Sequence, residues 1–384
     1  MNTVLRTVGL FAGIGGIELG LAKAGHETKL LCEVDSAAAA VLRNRFPDIA
    51  LHDDVTTLKA LPTGIDLLAA GFPCQDLSQA GNTAGIDGAR SGLVGEVFRL
   101  LKRQRVPLVL IENVPFMLQL NKGHAMEVVV SNLEQLGYKW AYRIVNSRAF
   151  GVPQRRERVY LLASLDKDPR DILLSGEAVA AEYSGNWREW ACGFYWTEGI
   201  RGLGWAVDSI PTLKGGSTIG IPSQPAIILP DGRVGKPDIR DAERLQGFEE
   251  NWTKPAEMVA KKGVRWKLAG NAVTVSAAAW IGSKLRKPVA YNDGLDSLLA
   301  RKTAWPRAAW NVGSGRYVSD ASAFPIREKC PSLARFLRYP LEPLSVKATR
   351  GFLERTKISS LRFPPGFIDV LEEHLRAVEM AAAA

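Results

Sequence analysis

Val4-Leu5-Arg6-Thr7-Val8-Gly9-Leu10-Phe11-Ala12-Gly13-Ile14-Gly15-Gly16-Ile17-Glu18-Leu19-Gly20-Leu21-Ala22-Lys23-Ala24 is the stretch that decides the fold. Val4 to Phe11 is largely apolar and reads as a buried strand. Gly13-Ile14-Gly15-Gly16 is a tight turn, and Ile17 to Ala24 starts a helix. A strand that ends in such a turn lets backbone N–H groups approach a ligand at the helix N-terminus. The string is not G-x-G-x-x-G, and an ordinary tight turn would use similar glycines.

Working outward, Lys29 to Asp35 reads as a second buried strand ending in acids. Ser36 is placed to cap a helix over Ala37 to Asn44. Ile65 to Ala70, Val106 to Ile111 and Val159 to Ala163 read as further strands. Strands alternating with helical stretches predict βαβ units. Residues 1–164 are therefore expected to form an α/β domain with a doubly wound, mostly parallel sheet. Residues 165–239 are rich in Gly, Trp and Pro, and predict a small irregular or β-rich domain. Helical patterning returns at Arg240 to Gly247 and Val273 to Leu285, so 240–288 is expected to complete the first domain. Residues 289–384 read as a basic extension of unreadable fold, with a final helix over Ile368 to Met380.

The chain has 384 residues, 46% of them hydrophobic and 23% charged, as expected of a water-soluble protein of two or three domains. No apolar run approaches the roughly 20 residues of a membrane helix, and no secretion leader is read at the N-terminus. The four cysteines are scattered and form no C-x-x-C pair, so neither a zinc site nor a disulfide framework is expected. The formal net charge is +9. Lys284 to Arg362 holds sixteen Lys or Arg against six Asp or Glu, so the rest is close to neutral. A solvated basic surface and a phosphate-contacting face both fit that distribution.

Four groups of residues carry chemistry. The glycine turn, with Glu33 ending the second strand, suits a nucleoside-bearing cofactor whose ribose diol bonds the carboxylate. Cys74, in Gly71-Phe72-Pro73-Cys74-Gln75, follows a strand, at the sheet edge where open α/β folds bind ligands. The loop after it is too polar and glycine-rich for core and is suited to close over a substrate. Glu112, in Glu112-Asn113-Val114, follows an apolar strand. Partial burial there is expected to raise its pKa and let it hold a proton. In Gln154-Arg155-Arg156-Glu157-Arg158, strand alternation would point Arg156 and Arg158 the same way as a paired guanidinium site. Each group also has an ordinary reading, as turn, buried thiol, cap or solvated charge run.

In this order the strings resemble the C5-cytosine DNA methyltransferase family over residues 7 to about 285. Phe11 to Gly16, Glu33 to Asp35 and Asp54-Val55 are similar to its first three motifs. Pro73-Cys74-Gln75 is similar to its nucleophile motif. Glu112 to Val114, Gln154 to Arg158, Arg240 to Phe248 and Gly270 to Val273 are similar to its later ones. Thr212-Leu213 resembles the signature of its target-recognition region. Ala272 departs from the usual Gly-Asn-Ser, and nothing after Pro288 is recognised.

The resemblance implies a class I S-adenosylmethionine-dependent fold, with Cys74 attacking carbon 6 of cytosine. Glu112 would bond the ring N3 and amine, and Arg156 and Arg158 would hold O2. It implies a cofactor pocket of Phe11, Gly13, Gly15, Gly16, Glu33, Asp54, Val55 and Asn271, with S-adenosylhomocysteine as product and no metal. It implies a monomer acting on double-stranded DNA in the cytoplasm of a prokaryotic or phage-infected cell, at the nucleoid. DNA contacts are expected from Gln75, Arg188, Arg201, Thr212 and Lys214. The tryptophans of 165–239 are expected to be core, and the basic tail to wrap the duplex. A tRNA cytosine methyltransferase and a catalytically silent DNA-binding regulator on the same scaffold stay open as alternatives.

Overall fold

Alternate residues of neighbouring strands drop into two different cores. In the computed structural model, Val109 and Ile111 join one apolar cluster while Leu108 and Leu110 join another. Leu68 and Ala70 divide from Leu67 and Ala69 in the same way. A sheet buried on both faces follows, as the uninterrupted apolar runs require. The structure describes residues 3–73, 92–181, 183, 185–216, 224–261, 263–300 and 304–383.

The chain forms two units, one of Met1–Phe150, Glu157–Ala180 and Val273–Glu328, the other of Gly151–Arg156, Ala181–Ala272 and Lys329–Ala384. The strands of the first unit are β1 (Arg6–Leu10), β2 (Glu27–Cys32), β3 (Ala50–His52), β4 (Leu67–Ala70), β5 (Leu108–Asn113), β6 (Lys139–Asn146), β7 (Glu157–Ser164), β8 (Ser297–Leu298), β9 (Ala308–Asn311) and β10 (Tyr317–Val318). They make one sheet in the order β3-β2-β1-β4-β5-β7-β6-β9-β10-β8. The first five run parallel. From β7 onward every pairing is antiparallel. The expected doubly wound sheet is present, extended by antiparallel strands that include three from residues 297–318.

Helices α1 (Gly16–Lys23), α2 (Ser36–Arg45), α3 (Leu93–Arg103), α4 (His124–Gln135), α5 (Arg170–Leu173) and α6 (Val275–Arg286) belong to this unit. Val94, Val97, Phe98 and Leu101 of α3 recur at helical spacing and join α4 over one face of the sheet. α1 and α6 supply Ile17, Leu21, Trp280 and Ile281 to the other. The cap of α2 is Asp35 rather than Ser36, because its carboxylate accepts from both Ala37 N and Ala38 N. Strand order reverses between β1 and β4, so ligands are expected outside their carboxyl ends. The glycine turn leaves β1 at that edge, and Gly71-Phe72-Pro73 leaves β4.

The second unit is built on a five-stranded sheet of Ala206–Val207, Cys192–Phe194, Ala226–Ile228, Val234–Lys236 and Glu342–Pro343, antiparallel throughout. Its strands are short because Gly and Pro interrupt the apolar runs. Helices Val346–Lys357 and Phe367–Ala383 supply Phe352, Leu353, Phe367, Val370 and Leu371 to a core with Phe194, Ala226, Ile228 and Val234. Trp187, Trp196 and Trp205 pack on that core, as expected of these tryptophans. The end of the chain is thus core-forming here. Its periodic apolar residues carry the packing while its charges face out.

Candidate active site

The turn after β1 owes its shape to backbone conformations that glycine favours. Gly13 has φ 55° and Gly15 φ 83°, and Gly15 N donates to Ala12 O at 2.8 Å. A side chain on Gly15 would meet the Phe46 ring at 2.4 Å, whereas one on Gly13 would meet nothing within 4 Å. Open space therefore lies on the turn where its backbone is bare. Phe11 also has positive φ, 56°, and its ring meets Phe72 edge-on at 6.3 Å.

Glu33 closes the other side of the turn. Gly13 N donates to its Oε2 at 2.7 Å, and Asp35 N to its Oε1 at 2.8 Å. Burial pushes this carboxyl above its ordinary range, while the two backbone N–H groups pull it back. Val34 beside it is 72% exposed, an apolar side chain left open at the end of a buried strand. Asp54 accepts from Thr56 N at 2.9 Å, which holds its carboxyl below the usual range. Val55 turns inward. It is 4% exposed in the core and its carbonyl accepts from Arg99, so its side chain does not face a ligand.

The neighbouring strands bring a second group of side chains to the same edge. β5 pairs with β7 so that Glu112 lies opposite Tyr160 and Asn113 opposite Val159. Arg158, at the start of β7, places Nε 3.0 Å from Glu112 Oε1. A Cβ on Gly71 would lie 3.5 Å from Glu112 Oε2, so the end of β4 runs beside this carboxylate. Asn113 Nδ2 donates to Phe72 O at 3.0 Å, which fixes the peptide leading to Cys74. Cys74 and Gln75 lie outside the described residues.

Arg156 falls in the break between the strand Gln154–Arg155 and β7, so the pleat alternation expected to align it with Arg158 does not run through it. It is fully buried in the second unit, donating to Leu213 O at 2.9 Å, Gly270 O at 3.2 Å and Ala272 O at 2.6 Å. Gln154 donates to Leu245 O and accepts from Leu213 N. Gln246 donates to Ala269 O. Four of the stretches singled out in sequence, those holding Gln154 and Arg156, Leu213, Leu245, and Gly270 to Ala272, are therefore tied together by buried hydrogen bonds.

A family model described as C-5 cytosine-specific DNA methylase matches residues 5–198. The type II methyltransferase M2.BsuMI of Bacillus subtilis (strain 168) is 46% identical over 386 residues, covering 96% of this chain and 97% of the relative. The chain belongs to the C-5 cytosine-specific DNA methylase family. A second relative, the type II methyltransferase M.BanI of Aneurinibacillus aneurinilyticus, is 37% identical over 182 residues, covering 46% of this chain and 42% of its own. The crystal structure of S. pombe Dnmt2 methyltransferase aligns with TM-score 0.53 at 19% identity, covering 73% of this chain and 98% of that one. That likeness shows the shared class I fold.

In this C-5 cytosine-specific DNA methylase the remaining expected residues divide by environment. Asn271 is exposed, its amide crowding the face of Gly215. Thr212 Oγ1 donates to Arg155 O at 2.9 Å. Lys214 is paired with Glu198 and lies 3.7 Å above the Tyr195 ring. Arg188 donates to Gly366 O at 3.1 Å, while Arg201 is exposed. Sequence reasoning missed Asn113 as an anchor and Val34 as an open apolar contact. The first had a signal, since an amide beside a site carboxylate at a strand end has a donor to spend. Among the described residues no helix is long and apolar enough to cross a membrane, and no cluster of His, Cys, Asp or Glu suits a metal ion.

Proposed function

We propose that this methylase transfers the methyl group of S-adenosylmethionine to carbon 5 of a cytosine in double-stranded DNA, as a type II modification enzyme. The observation that carries the reading is the Glu112–Arg158 pair at 3.0 Å, on the edge where Asn113 holds the peptide before Cys74. The residues at the glycine turn fit the cofactor. Glu33 offers its remaining lone pairs to a ribose diol, Gly13 leaves room above bare backbone, and Phe11 and Val34 offer apolar surface to adenine.

S-adenosylmethionine supplies an electrophilic methyl group on a sulfonium. The chain's residues must make carbon 5 of cytosine nucleophilic. Cys74, as thiolate, adds to carbon 6 and turns the ring enamine-like. Glu112 bonds N3 and the exocyclic amine, delivering a proton to N3 as charge builds there. That carboxylate accepts from Arg158, so it takes up a proton from water as the base enters and passes that proton to N3. Arg158, fixed by the same pair, turns its remaining N–H groups to O2. After carbon 5 has taken the methyl, its proton leaves to a base and the Cys74 thiolate departs. A stacked base offers neither carbon 6 nor N3, so the cytosine is extruded from the duplex.

Arg156 acts at one remove, holding the backbone of Leu213 and Gly270 to Ala272. The protein acts as a monomer in the cytoplasm, at the nucleoid, and its positive charge supplies phosphate attraction. The test is transfer of labelled methyl to unmethylated duplex DNA, with product mapped by base and Cys74→Ala as control. Label at C5 of cytosine in one short sequence, lost in the variant, is the expected result. Transfer to tRNA but not to duplex DNA, or none from folded, cofactor-binding protein, overturns it.

A further inference from the structure

Glu18 is a buried carboxyl that the reaction above does not use. It lies in the first turn of α1, directly after the glycine turn, and is 2% exposed. Its room is made by Gly9 of β1, where a Cβ would stand 2.0 Å from Glu18 Oε1. Its Oε2 is buried and has no hydrogen-bond partner. Of the other buried carboxylates, Glu112 is matched by Arg158, Asp241 by Arg244 and Glu243 by Arg265, while Asp208 accepts from Leu333 N. Neither Glu18 nor Glu33 has a Lys or Arg partner among the described residues.

The glycine turn is thus flanked by two carboxyls and, among the described residues, by no cation paired with either. β1, β2 and α6 pack on α1, and their charges are engaged elsewhere. Arg6 lies against Gly64, Glu27 pairs with Lys29, and Lys284 and Arg286 reach Ser175 and Ala24. Glu33 alone of these acts on Glu18, as a like charge. Burial, with Glu33 adding to it, pushes the Glu18 carboxyl up to about 7. A group so placed gains or loses its charge according to what binds beside it.

We infer that Glu18 is a charge-selecting residue of the cofactor site, favouring the cationic sulfonium cofactor over its neutral thioether product. This rests on the S-adenosylmethionine reading of the turn. The two ligands share adenosine, ammonium and carboxylate, and differ in the methyl group and the sulfonium charge. A positive charge above the turn stabilises ionised Glu18 and lowers its pKa, whereas the neutral thioether leaves that pKa raised. After transfer the site has lost the charge it prefers, which speeds product release. Each unit by which the cation lowers the Glu18 pKa adds about tenfold to the preference above neutral pH.

The test is calorimetric binding of S-adenosylmethionine, S-adenosylhomocysteine and sinefungin, which carries an amine in place of the sulfonium. Wild type and Glu18→Gln are compared at about pH 6 and about pH 8. In the wild type the preference for the two cationic ligands should rise about tenfold between these values. In the Glu18→Gln variant it should be smaller and flat. A preference that the variant keeps, with the same pH dependence, overturns the inference. So does a parallel loss of all three affinities, which marks a merely structural role. Wild-type protein that binds none of the three overturns the cofactor reading itself.

Discussion

Asn113 Nδ2 donates to the carbonyl of Phe72 at 3.0 Å, tying the end of β5 to the turn that leads into Cys74. Its Oδ1 meanwhile accepts from Val114 N at 2.9 Å, so the amide is held at both ends. One strand end thus carries Glu112 and anchors the Phe72–Pro73 peptide, the two places that the proposed reaction needs held together. Asn113→Ala removes the tie without touching a reacting atom. Small misplacements of a nucleophile are costly, and roughly a ten- to hundredfold fall in kcat is expected. Binding of S-adenosylmethionine should be unchanged, which single-turnover kinetics beside calorimetry would check.

The two arginines of Gln154 to Arg158 should fail in different ways. Arg158 is partly exposed and pairs with Glu112, so Arg158→Ala should leave a folded protein with methyl transfer lost. Arg156→Ala deletes donors to three buried carbonyls and should destabilise the second unit by about 3 kcal/mol or more. Lysine at 156 cannot span three acceptors as a planar guanidinium does, so Arg156→Lys should recover little. Denaturant melts with activity measured on the folded fraction separate the two. Equal stability loss in both would contradict these assignments.

Glu18 also sets a pH dependence of stability. Its carboxyl stands near 4.5 unfolded and about 7 folded, so the folded state holds the proton more tightly. Stability from this group is greatest below the unfolded value and is lost as pH rises through about 7. Glu18→Gln removes that loss. In the absence of ligand, the variant should gain on the wild type across this window, by a margin on the order of 3 kcal/mol above it. Paired denaturation curves at acid and alkaline pH check it, and a constant difference would be the contrary result.

The sheet was legible because its strands are apolar runs broken by glycine turns, and the residues that end them sit at one edge. Glu33, Glu112 and Arg158 could be placed from that rule alone. Arg156 could not, since strand alternation assumes an unbroken strand and the chain breaks at that residue. Val55 turns its side chain into the core, which a motif position could not reveal, since it does not distinguish a side-chain contact from a backbone one. Asp35 took the cap from Ser36 by one residue, within the ordinary uncertainty of helix ends. The end of the chain was the largest surprise. Its positive charge suggested a strap for DNA, yet Phe352, Leu353, Phe367 and Leu371 were the informative residues, and their partners lie more than a hundred residues upstream.

That packing changes what truncation tests. Removing 289–384 from a DNA-wrapping tail would weaken binding and flatten its salt dependence while leaving a folded enzyme. Here it would strip β8, β9 and β10 from the large sheet and both helices from the core of the second unit. Phe352 and Phe367 are fully buried, and Phe352→Ala alone should cost about 3–5 kcal/mol. A chain ending at residue 345 exposes Phe194, Ala226, Ile228 and Val234 together and should be insoluble or expanded. Solubility, near-UV circular dichroism and protease resistance of that truncation decide the point. A folded, cofactor-binding product with altered DNA affinity alone would restore the tail to a purely electrostatic role. For the same reason the charge contribution is better measured by substituting exposed residues such as Lys347 and Arg362 within the intact chain.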